Sequence, residues 1–377
     1  MDKARPATTN SFTSFDYQMM AKAIQLAKNG MYTTHPNPRV GCVITQQRTI
    51  VGEGWHQVSG EPHAEVNALM AAGEKAKGAT VYVTLEPCCH YGKTPPCSDA
   101  LITAGVERVV VAMQDPHKKV AGKGVAQLLA AGIEVSVGLL EAEARTLNPG
   151  FIKRMETGRP YVRSKLAMSL DGRTAMASGD SKWITSTSAR DDVQRLRAES
   201  SAILTGVGTI LADDPAMTVR LYEMKNQPLR VVLDTHLSMP DTARILQQSG
   251  RTLVMTCRDD AAAKERLEKA GAEVINMPSC SSSVDMESVL DKLGQLEINE
   301  VLLETGATLS GSMLNAGLID EMIIYMAPVL MGDKARGLFN LPVFDSMTKK
   351  IPLEIKDIRA IGEDWRITVK VDKTARN

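Results

Sequence analysis

The sequence predicts an α/β protein built as two domains, and three observations carry that reading. The chain has 377 residues, about twice what one hydrophobic core organises at roughly 100–200 residues per domain. Apolar runs with strand character alternate along it with stretches of helical periodicity, the pattern of layered α/β architecture. Histidine and cysteine are unevenly placed. His35, His56, His63, His90 and His117, with Cys42, Cys88, Cys89 and Cys97, all precede residue 158; only His236, Cys257 and Cys280 follow. The stretch from Asn148 to Pro160 is rich in Gly, Pro and charge and reads as the boundary, giving domains 1–158 and 159–377.

In the first domain, Tyr17–Lys28 is a helix, with Met20, Ile24 and Ala27 at helical spacing and Gly30 as its stop. Val40–Ile44 is a short apolar strand in which Cys42 is a core residue. Glu61–Ala76 is helical through Ala64, Leu69 and Ala72. Thr80–Leu85 is a strand, Ser98–Ala104 a helix closed by Gly105, and Arg108–Met113 a strand. Gly124–Ala131 is a helix closed by Gly132, and Glu134–Val137 is the last strand. In the second domain, Tyr161–Leu170 alternates Val162, Ser164, Leu166, Met168 and Leu170 up to the turn Asp171-Gly172. Ser188–Ala198 is a helix with Ser188 as N-cap and Asp191 three residues on. Strands follow at Ala202–Thr205, Arg230–Leu233, Thr252–Thr256, Glu273–Asn276, Glu300–Leu303 and Met322–Met326. Met286–Leu293 is helical, and Ser279–Ser283 reads as a loop. Strand–glycine–helix units in this order imply a largely parallel sheet.

Lys plus Arg and Asp plus Glu both total 44, so the net charge is zero. General nucleic-acid binders and polybasic membrane-surface proteins carry a basic excess, so neither partner is expected. Aromatics at 4% leave few rings to stack on bases. No window is apolar enough to span a membrane, and the polar start Met1–Asp16 lacks the apolar stretch of a signal peptide. A cytoplasmic location is expected. Six cysteines are too sparse for a disulfide scaffold, which leaves packing, nucleophilic or metal-binding roles.

The chemistry concentrates in Pro62-His63-Ala64-Glu65 and in the run from Glu86-Pro87-Cys88 to Pro96-Cys97. One imidazole and two thiolates, from His63, Cys88 and Cys97, would leave the fourth position of a tetrahedral Zn²⁺ to a water whose pKa falls to roughly 7. Each ligand falls near a predicted helix or turn start, where backbone N–H groups favour thiolates. Glu65, two residues after His63, is placed to move protons without binding the metal. A closed structural zinc would draw a fourth ligand from Cys89 or His90, and Glu65 would then have no role.

His-x-Glu followed by Pro-Cys-x-x-Cys is the signature of zinc nucleobase deaminases; here eight residues, not two, separate Cys88 from Cys97. With HPNPRVGCVI, PHAEVNAL and VTLEPCCHYGKTPPC, the first half resembles the deaminase half of the RibD family, bifunctional deaminase/reductases of riboflavin biosynthesis in which the longer insert is the rule. The resemblance implies a three-layer α/β/α cytidine-deaminase-like fold, one Zn²⁺ per chain and Glu65 as the catalytic acid and base. It also implies that Asn37 and His56 hold the pyrimidine and that Lys93 and His90 meet its ribose phosphate. Taken singly, Asn37 is equally a turn residue between prolines, and Lys93 a solvated lysine. Cys89 stands where the family has Ser.

Signals in the second half are weaker. No Walker phosphate loop is present, and Gly206-x-Gly208 is followed by Leu211 where a dinucleotide fingerprint needs a third Gly. The stretch from Glu304 to Gly311 could cradle a phosphate or be an ordinary strand–helix turn. Arg197 and Arg220 suit a phosphate. Trp183, taken singly, is more readily a packed core residue than a stacking surface. KLAMSLDGRTAMASGDSKWITS, LTGVGTILADDPAMTVR and LLETGATLSGSML resemble the reductase half of the same family. That implies a dihydrofolate-reductase-like domain with a mostly parallel sheet, using NADPH. On matching positions, Ala167, Trp183, Thr209, Asp213, Thr235 and the loop Gly306, Ala307, Thr308, Leu309, Ser310, Gly311 and Ser312 would contact NADP. Ser181, Arg197, Met217, Arg220 and Glu304 would contact the substrate, the arginines taking its phosphate. Lys165 and Asp171 fall near the site.

The implied activity is deamination of a small phosphoribosylated pyrimidine followed by NADPH-dependent reduction of its ribosyl group, in a homo-oligomer, dimer or tetramer. The alternatives are a zinc deaminase for a cytidine-type nucleoside or nucleotide whose second domain only binds nucleotide, and a structural zinc module joined to a nucleotide sensor.

Overall fold

Two valine-rich runs, residues 81–83 and 109–111, are buried on both faces, which places them at the centre of a covered sheet. The computed structural model describes residues 11–89, 95–117, 120–220, 224, 226–280 and 283–372. Two compact units divide between Gly158 and Arg159.

In the first unit, α1 (Ser14–Ala27) begins at a capping box in which Thr13 accepts from the Asp16 N–H and Asp16 accepts from the Thr13 N–H. A tight turn at Gln47 and Arg48, both at positive φ, joins β1 (Gly41–Gln46) to β2 (Thr49–Trp55). Then come α2 (Ala64–Ala72), β3 (Thr80–Val83), α3 (Cys97–Ala104), β4 (Arg108–Val111), α4 (Lys123–Ala130), β5 (Glu134–Val137), α5 (Glu141–Leu147) and α6 (Pro149–Thr157). The sheet order is β2-β1-β3-β4-β5; β3, β4 and β5 are parallel, and β1 is antiparallel to both neighbours. A Cβ on Gly41 would strike the α1 backbone at Ala23, and one on Gly54 the α2 backbone at Ala64 and Ala68. Gly54 pairs with Cys42, so Gly41 and Gly54 point to opposite faces. Helices α1 and α2 therefore cover opposite faces of one sheet, the three-layer α/β/α arrangement.

In the second unit, β6 (Tyr161–Ser169) leads through β7 (Arg173–Ala175) to α7 (Thr187–Glu199), β8 (Ala202–Gly206), α8 (Val207–Asp213), β9 (Leu229–Leu233), β10 (Thr252–Thr256), α9 (Ala261–Lys269) and β11 (Ala272–Asn276). The short pair β12 (Ser279–Cys280) and β13 (Ser283–Val284) precedes α10 (Met286–Gln295), β14 (Glu300–Leu303), α11 (Ala307–Asn315), β15 (Glu321–Ala327), β16 (Arg336–Gly337), β17 (Leu353–Ile361) and β18 (Asp364–Val371). The large sheet runs β11-β10-β9-β8-β14-β6-β15-β18-β17. Every pairing from β11 to β15 is parallel, and β18 and β17 are added antiparallel. Strand β14 inserts between β8 and β6. The carboxyl ends of β9, β8, β14 and β6 thus lie side by side, where open α/β sheets bind ligands. Among the described residues no helix is long and apolar enough to cross a membrane.

Several local expectations are corrected. The stretch placed at the boundary holds a helix the sequence reading did not name, α6: Pro149 sits at its first position, where no N–H is needed, and Gly158 ends it in the left-handed region, at the division between the two units. Ser186, not Ser188, caps α7, because its extended backbone lets Oγ accept from the Ala189 N–H while Asp364 holds the hydroxyl. Glu61–Ala76 shortens to α2 and a 3₁₀ turn. Residues 307–312, expected as loop, are the first turns of α11. Part of Ser279–Ser283, also expected as loop, pairs as β12 with β13.

Candidate active sites

His63 is the N-cap of α2, and Cys97 is the first residue of α3. His63 Nδ1 lies 3.2 Å from Cys97 Sγ and 3.7 Å from Cys88 Sγ, and all three donor atoms lie within 4.8 Å of one another. Tetrahedral zinc, with bonds of about 2.0–2.3 Å, needs donors about 3.3–3.8 Å apart, so the set fits Zn²⁺. Cys89 is not part of this group. Among the described residues three donors come together, which leaves a coordination position for a reactant; the closed-site alternative through Cys89 is not supported, and the one through His90 lies outside the described residues.

The thiols are prepared for a metal. The Cys97 N–H donates to Cys88 Sγ at 3.3 Å. A hydrogen bond from the Cys97 thiol holds Cys88 well below the usual thiol range against its burial, with His63 assisting; the same contact and burial push Cys97 up. One thiolate is thus already favoured, and a dication would ionise the second. Glu65, in the first turn of α2, is 3% exposed. Burial pushes its carboxyl up to about 7, against the pull of His63. A carboxyl in that range both accepts and returns protons at neutral pH.

Asn37 and His56 are brought together. His56 Nδ1 lies 3.2 Å from the Pro62 carbonyl oxygen, which needs a proton on Nδ1. Nε2 is then the acceptor for Asn37 Nδ2 at 3.0 Å. Burial lowers the His56 pKa and keeps the ring neutral. With its amide N–H engaged there, Asn37 presents Oδ1 as a hydrogen-bond acceptor. The His56 and His63 rings meet edge to face at 5.2 Å, so this pair stands one ring from a zinc ligand. His90 and Lys93 lie outside the described residues.

Glu86 was not singled out by the sequence, although it stands in Glu-Pro-Cys. Its buried carboxylate accepts the N–H groups of Asp115 at 3.1 Å, Gly122 at 2.9 Å and Val125 at 3.1 Å. Those bonds compensate its burial and tie the Cys88 loop to the start of α4.

In the second unit, the residues expected at the cofactor gather along one sheet edge. Ala167 lies near the end of β6, Thr209 and Asp213 are in α8 after β8, and Thr235 follows β9. Gly306 is the N-cap of α11 after β14, and a Cβ there would meet nothing within 4 Å. That open space lies over backbone N–H groups suited to a nucleotide phosphate. Lys182 Nζ reaches Asp213 at 3.0 Å, drawing the segment with Ser181 and Trp183 to α8. Trp183 is 72% exposed, with the Arg190 guanidinium 4.7 Å from its ring centre. The packing expectation for Trp183 is overturned: the ring is available for stacking.

Glu304 follows β14 and is met by three cations. Arg197 bonds it at two points, and the charges of Lys165 and Arg220 also act on it. Burial lowers the Lys165 pKa, and Glu304 partly restores it. Arg220 is exposed, and Met217 is buried at positive φ. The Asp171 carboxylate accepts from the Ser169 hydroxyl and the Met331 and Gly332 N–H groups, tying the turn after β6 to the loop after β15.

Chemistry divides with the chain. Proton-assisted hydrolysis at a metal belongs to the first unit, and hydride transfer from a bound nucleotide suits the second; the class is a fused deaminase and reductase. Residues 13–113 match the family model described as the cytidine and deoxycytidylate deaminase zinc-binding region, and residues 160–367 that of the RibD C-terminal domain. The chain is 52% identical over 361 residues to riboflavin biosynthesis protein RibD of Escherichia coli, covering 93% of this chain and 97% of that one. Acinetobacter baumannii RibD superposes with a TM-score of 0.88 at 47% identity, over 95% of this chain and 99% of that one. A Thermotoga maritima structure, described as a diaminohydroxyphosphoribosylaminopyrimidine deaminase/5-amino-6-(5-phosphoribosylamino)uracil reductase, matches with a TM-score of 0.85 at 34% identity, over 95% and 99%. This chain belongs to the RibD family, the bifunctional deaminase/reductases of riboflavin biosynthesis. Its deaminase domain is zinc-binding and its reductase domain uses NADPH.

Proposed function

We propose that the first unit hydrolytically deaminates 2,5-diamino-6-(5-phosphoribosylamino)pyrimidin-4-one. The second then reduces 5-amino-6-(5-phosphoribosylamino)uracil to the ribitylamino product. The open donor triad with Glu65 buried beside it carries the first half of this reading.

His63, Cys88 and Cys97 would hold Zn²⁺, which when bound would supply an acidified water for the attack. Asn37 and His56 hold the pyrimidine ring, and His90 and Lys93 its ribose phosphate. Glu65 takes a proton from water, delivers one to the ring nitrogen and passes one to the departing ammonia. The amine is thereby exchanged for a carbonyl oxygen, with one water consumed.

In the second unit, Ala167, Trp183, Thr209, Asp213, Thr235 and residues 306–312 hold NADPH, which supplies the hydride. Ser181, Met217, Arg197, Arg220 and Glu304 would hold the substrate, whose ring-opened imine carbon C1′ would accept that hydride; Lys165 borders the site and Asp171 braces its rim. The cation excess around Glu304 supports a phosphate there. Because the Arg197 guanidinium is committed to Glu304 and the Thr218 carbonyl, the phosphate falls to Arg220.

The enzyme is cytoplasmic and self-associates as a dimer or tetramer. One face of the β17–β18 hairpin supports self-association. Leu353, Ile355, Ile358 and Trp365 are exposed on it, kept in phase by a register shift between Ile355 and Asp357.

A coupled assay on zinc-loaded protein, followed by mass spectrometry, tests both activities. Ammonia release without NADPH and then a two-hydrogen mass gain with it are expected. Ammonia without reduction would sink the reductase half; zinc at one per chain without ammonia would sink the deaminase substrate.

A further inference from the structure

We propose that Asn148 is a positioning residue for the deaminase reaction, acting through the backbone of Arg39. The inference rests on the reading of Asn37 and His56 as the groups that hold the pyrimidine. Asn148 lies outside the stretch 13–113 that matches the zinc-binding family model.

The segment that carries Asn37 is neither helix nor strand. Pro36 and Pro38 flank Asn37 and have no N–H, so the segment cannot be fastened by a run of its own backbone donors. Its near end is tied locally, the Asn37 N–H donating to the Thr34 carbonyl at 2.7 Å. Its far end is tied by Asn148. The Asn148 Oδ1 accepts the Arg39 N–H at 2.8 Å, and its Nδ2 donates to the Arg39 carbonyl at 2.9 Å. This is the two-point contact that a neighbouring strand would make, supplied by one amide side chain. Arg39 Nη1 adds a bond to the Leu147 carbonyl at 2.8 Å. Arg39 and Asn148 are each 4% exposed, so these bonds do not compete with water.

The gripped residue stands between the two groups of interest. Asn37 lies two residues before it. One residue after it, the Val40 carbonyl accepts the His56 N–H at 2.9 Å. Asn37 and His56 then meet through Nδ2 and Nε2 at 3.0 Å. A displacement at residue 39 therefore moves both, and misplacement by about 1 Å can cost about 100-fold in rate. Asn148 is itself held where α5 ends and α6 begins, its carbonyl accepting the Ile152 N–H at 3.0 Å. The last two helices of the first unit thus serve the substrate loop. Only an amide meets both needs: a carboxylate would set an acceptor against the Arg39 carbonyl, and an alkyl group would strand both polar atoms.

The test uses the full-length, zinc-loaded chain carrying Asn148→Ala or Arg39→Met, the second removing the side-chain bond to Leu147 and keeping the backbone contact with Asn148. Zinc per chain, kcat and KM for ammonia release from the diaminopyrimidinone ribotide, and NADPH-dependent reduction are measured. Asn148→Ala is expected to raise KM by about 10- to 100-fold at unchanged zinc and unchanged reduction. With Asn37→Ala added, the loss is expected to be smaller than the product of the single losses. A merely structural role would lower the active fraction, and so kcat, and leave KM in place. KM within twofold of the parent at full zinc, or losses that multiply, would overturn the proposal. Should Asn148→Ala not fold, Arg39→Met decides: a rise in KM of a few-fold supports the clamp, and none overturns it. If the parent releases no ammonia, the substrate reading fails by itself. The clamp is then judged by ¹⁵N NMR of the His56 ring, expected as a single Nδ1–H tautomer in the parent and averaged in Asn148→Ala. An unchanged ring spectrum would refute it.

Discussion

Arg197 and Glu304 meet as a two-point ion pair, with Nε 2.6 Å from Oε1 and Nη2 2.9 Å from Oε2. One comes from the last turn of α7, and the other follows β14. Their side chains are 11% and 14% exposed. Burial would raise the Glu304 pKa. The charge and hydrogen bonds of Arg197, then Lys165 and Arg220, outweigh it and hold the carboxyl below its ordinary range. The pair keeps an anion in place inside a cationic pocket.

Removing only the cation strands that carboxylate. Arg197→Met is expected to destabilise the second unit by about 3–5 kcal/mol and to lower reduction while leaving deamination intact. Urea unfolding and the two separate assays check this. A loss below about 1 kcal/mol would show that the pair is not effectively buried.

Glu65→Gln keeps shape and removes the proton carrier. Deamination kcat is expected to fall by about 10²–10⁴-fold, with zinc and reduction unchanged. Metal analysis beside the assay is decisive, because lost zinc would place Glu65 among the ligands.

The two adjacent cysteines are expected to differ. Cys88→Ala and Cys97→Ala should each lose zinc and deamination and retain reduction, whereas Cys89→Ser should retain all three. Zinc loss in Cys89→Ser would contradict the donor set of His63, Cys88 and Cys97.

Trp183 separates stacking from packing. An exposed ring contributes little to stability, so Trp183→Ala is expected to change it by no more than about 0.5 kcal/mol while raising KM for NADPH. A core tryptophan would cost about 3–5 kcal/mol. Thermal unfolding and NADPH titration distinguish the two.

Asp16 links the first unit to pH. Burial favours its neutral form, but the Thr13 N–H, Arg108, the Thr13 hydroxyl and Tyr82 together outweigh that and hold its pKa at about 2 instead of 3.8. A pKa lowered by folding stabilises the native state above the unfolded value, and that contribution is lost as pH falls toward the folded one. Parent protein should exceed Asp16→Asn by about 2 kcal/mol at pH 7, the gap closing between pH 4 and 2. A gap that persists at pH 2 would assign the effect to packing.

Helices α1 to α4 and strands β1, β3, β4 and β5 were legible because their apolar periodicity is local, whereas α5 and α6 were not read. Strand β2 was not: Gly52, Glu53 and Gly54 occupy its middle, and those glycines exist to admit α2, which only the packed structure shows. Strands β17 and β18 were missed because an edge hairpin exposes apolar residues on one face and carries charges on the other. Trp183 taken singly was misjudged because a large ring is usually buried; only the resemblance of the surrounding segment pointed to a cofactor contact.

By itself, the sequence determined the ligand types, the proton carrier beside them and the order of two α/β domains, because those depend on residue chemistry at short spacing. The choice of Cys88 and Cys97 over Cys89 was also legible in the spacing, and tertiary structure brings those two within 4.8 Å of His63 with Cys89 outside the group. Tertiary structure alone decided that Arg197 answers Glu304 across 107 residues, and that Asn148 grips Arg39 across 109. Contacts at such separations leave no periodicity in the chain. They arise when the sheet brings distant strand ends together and burial demands a partner for every polar group enclosed there.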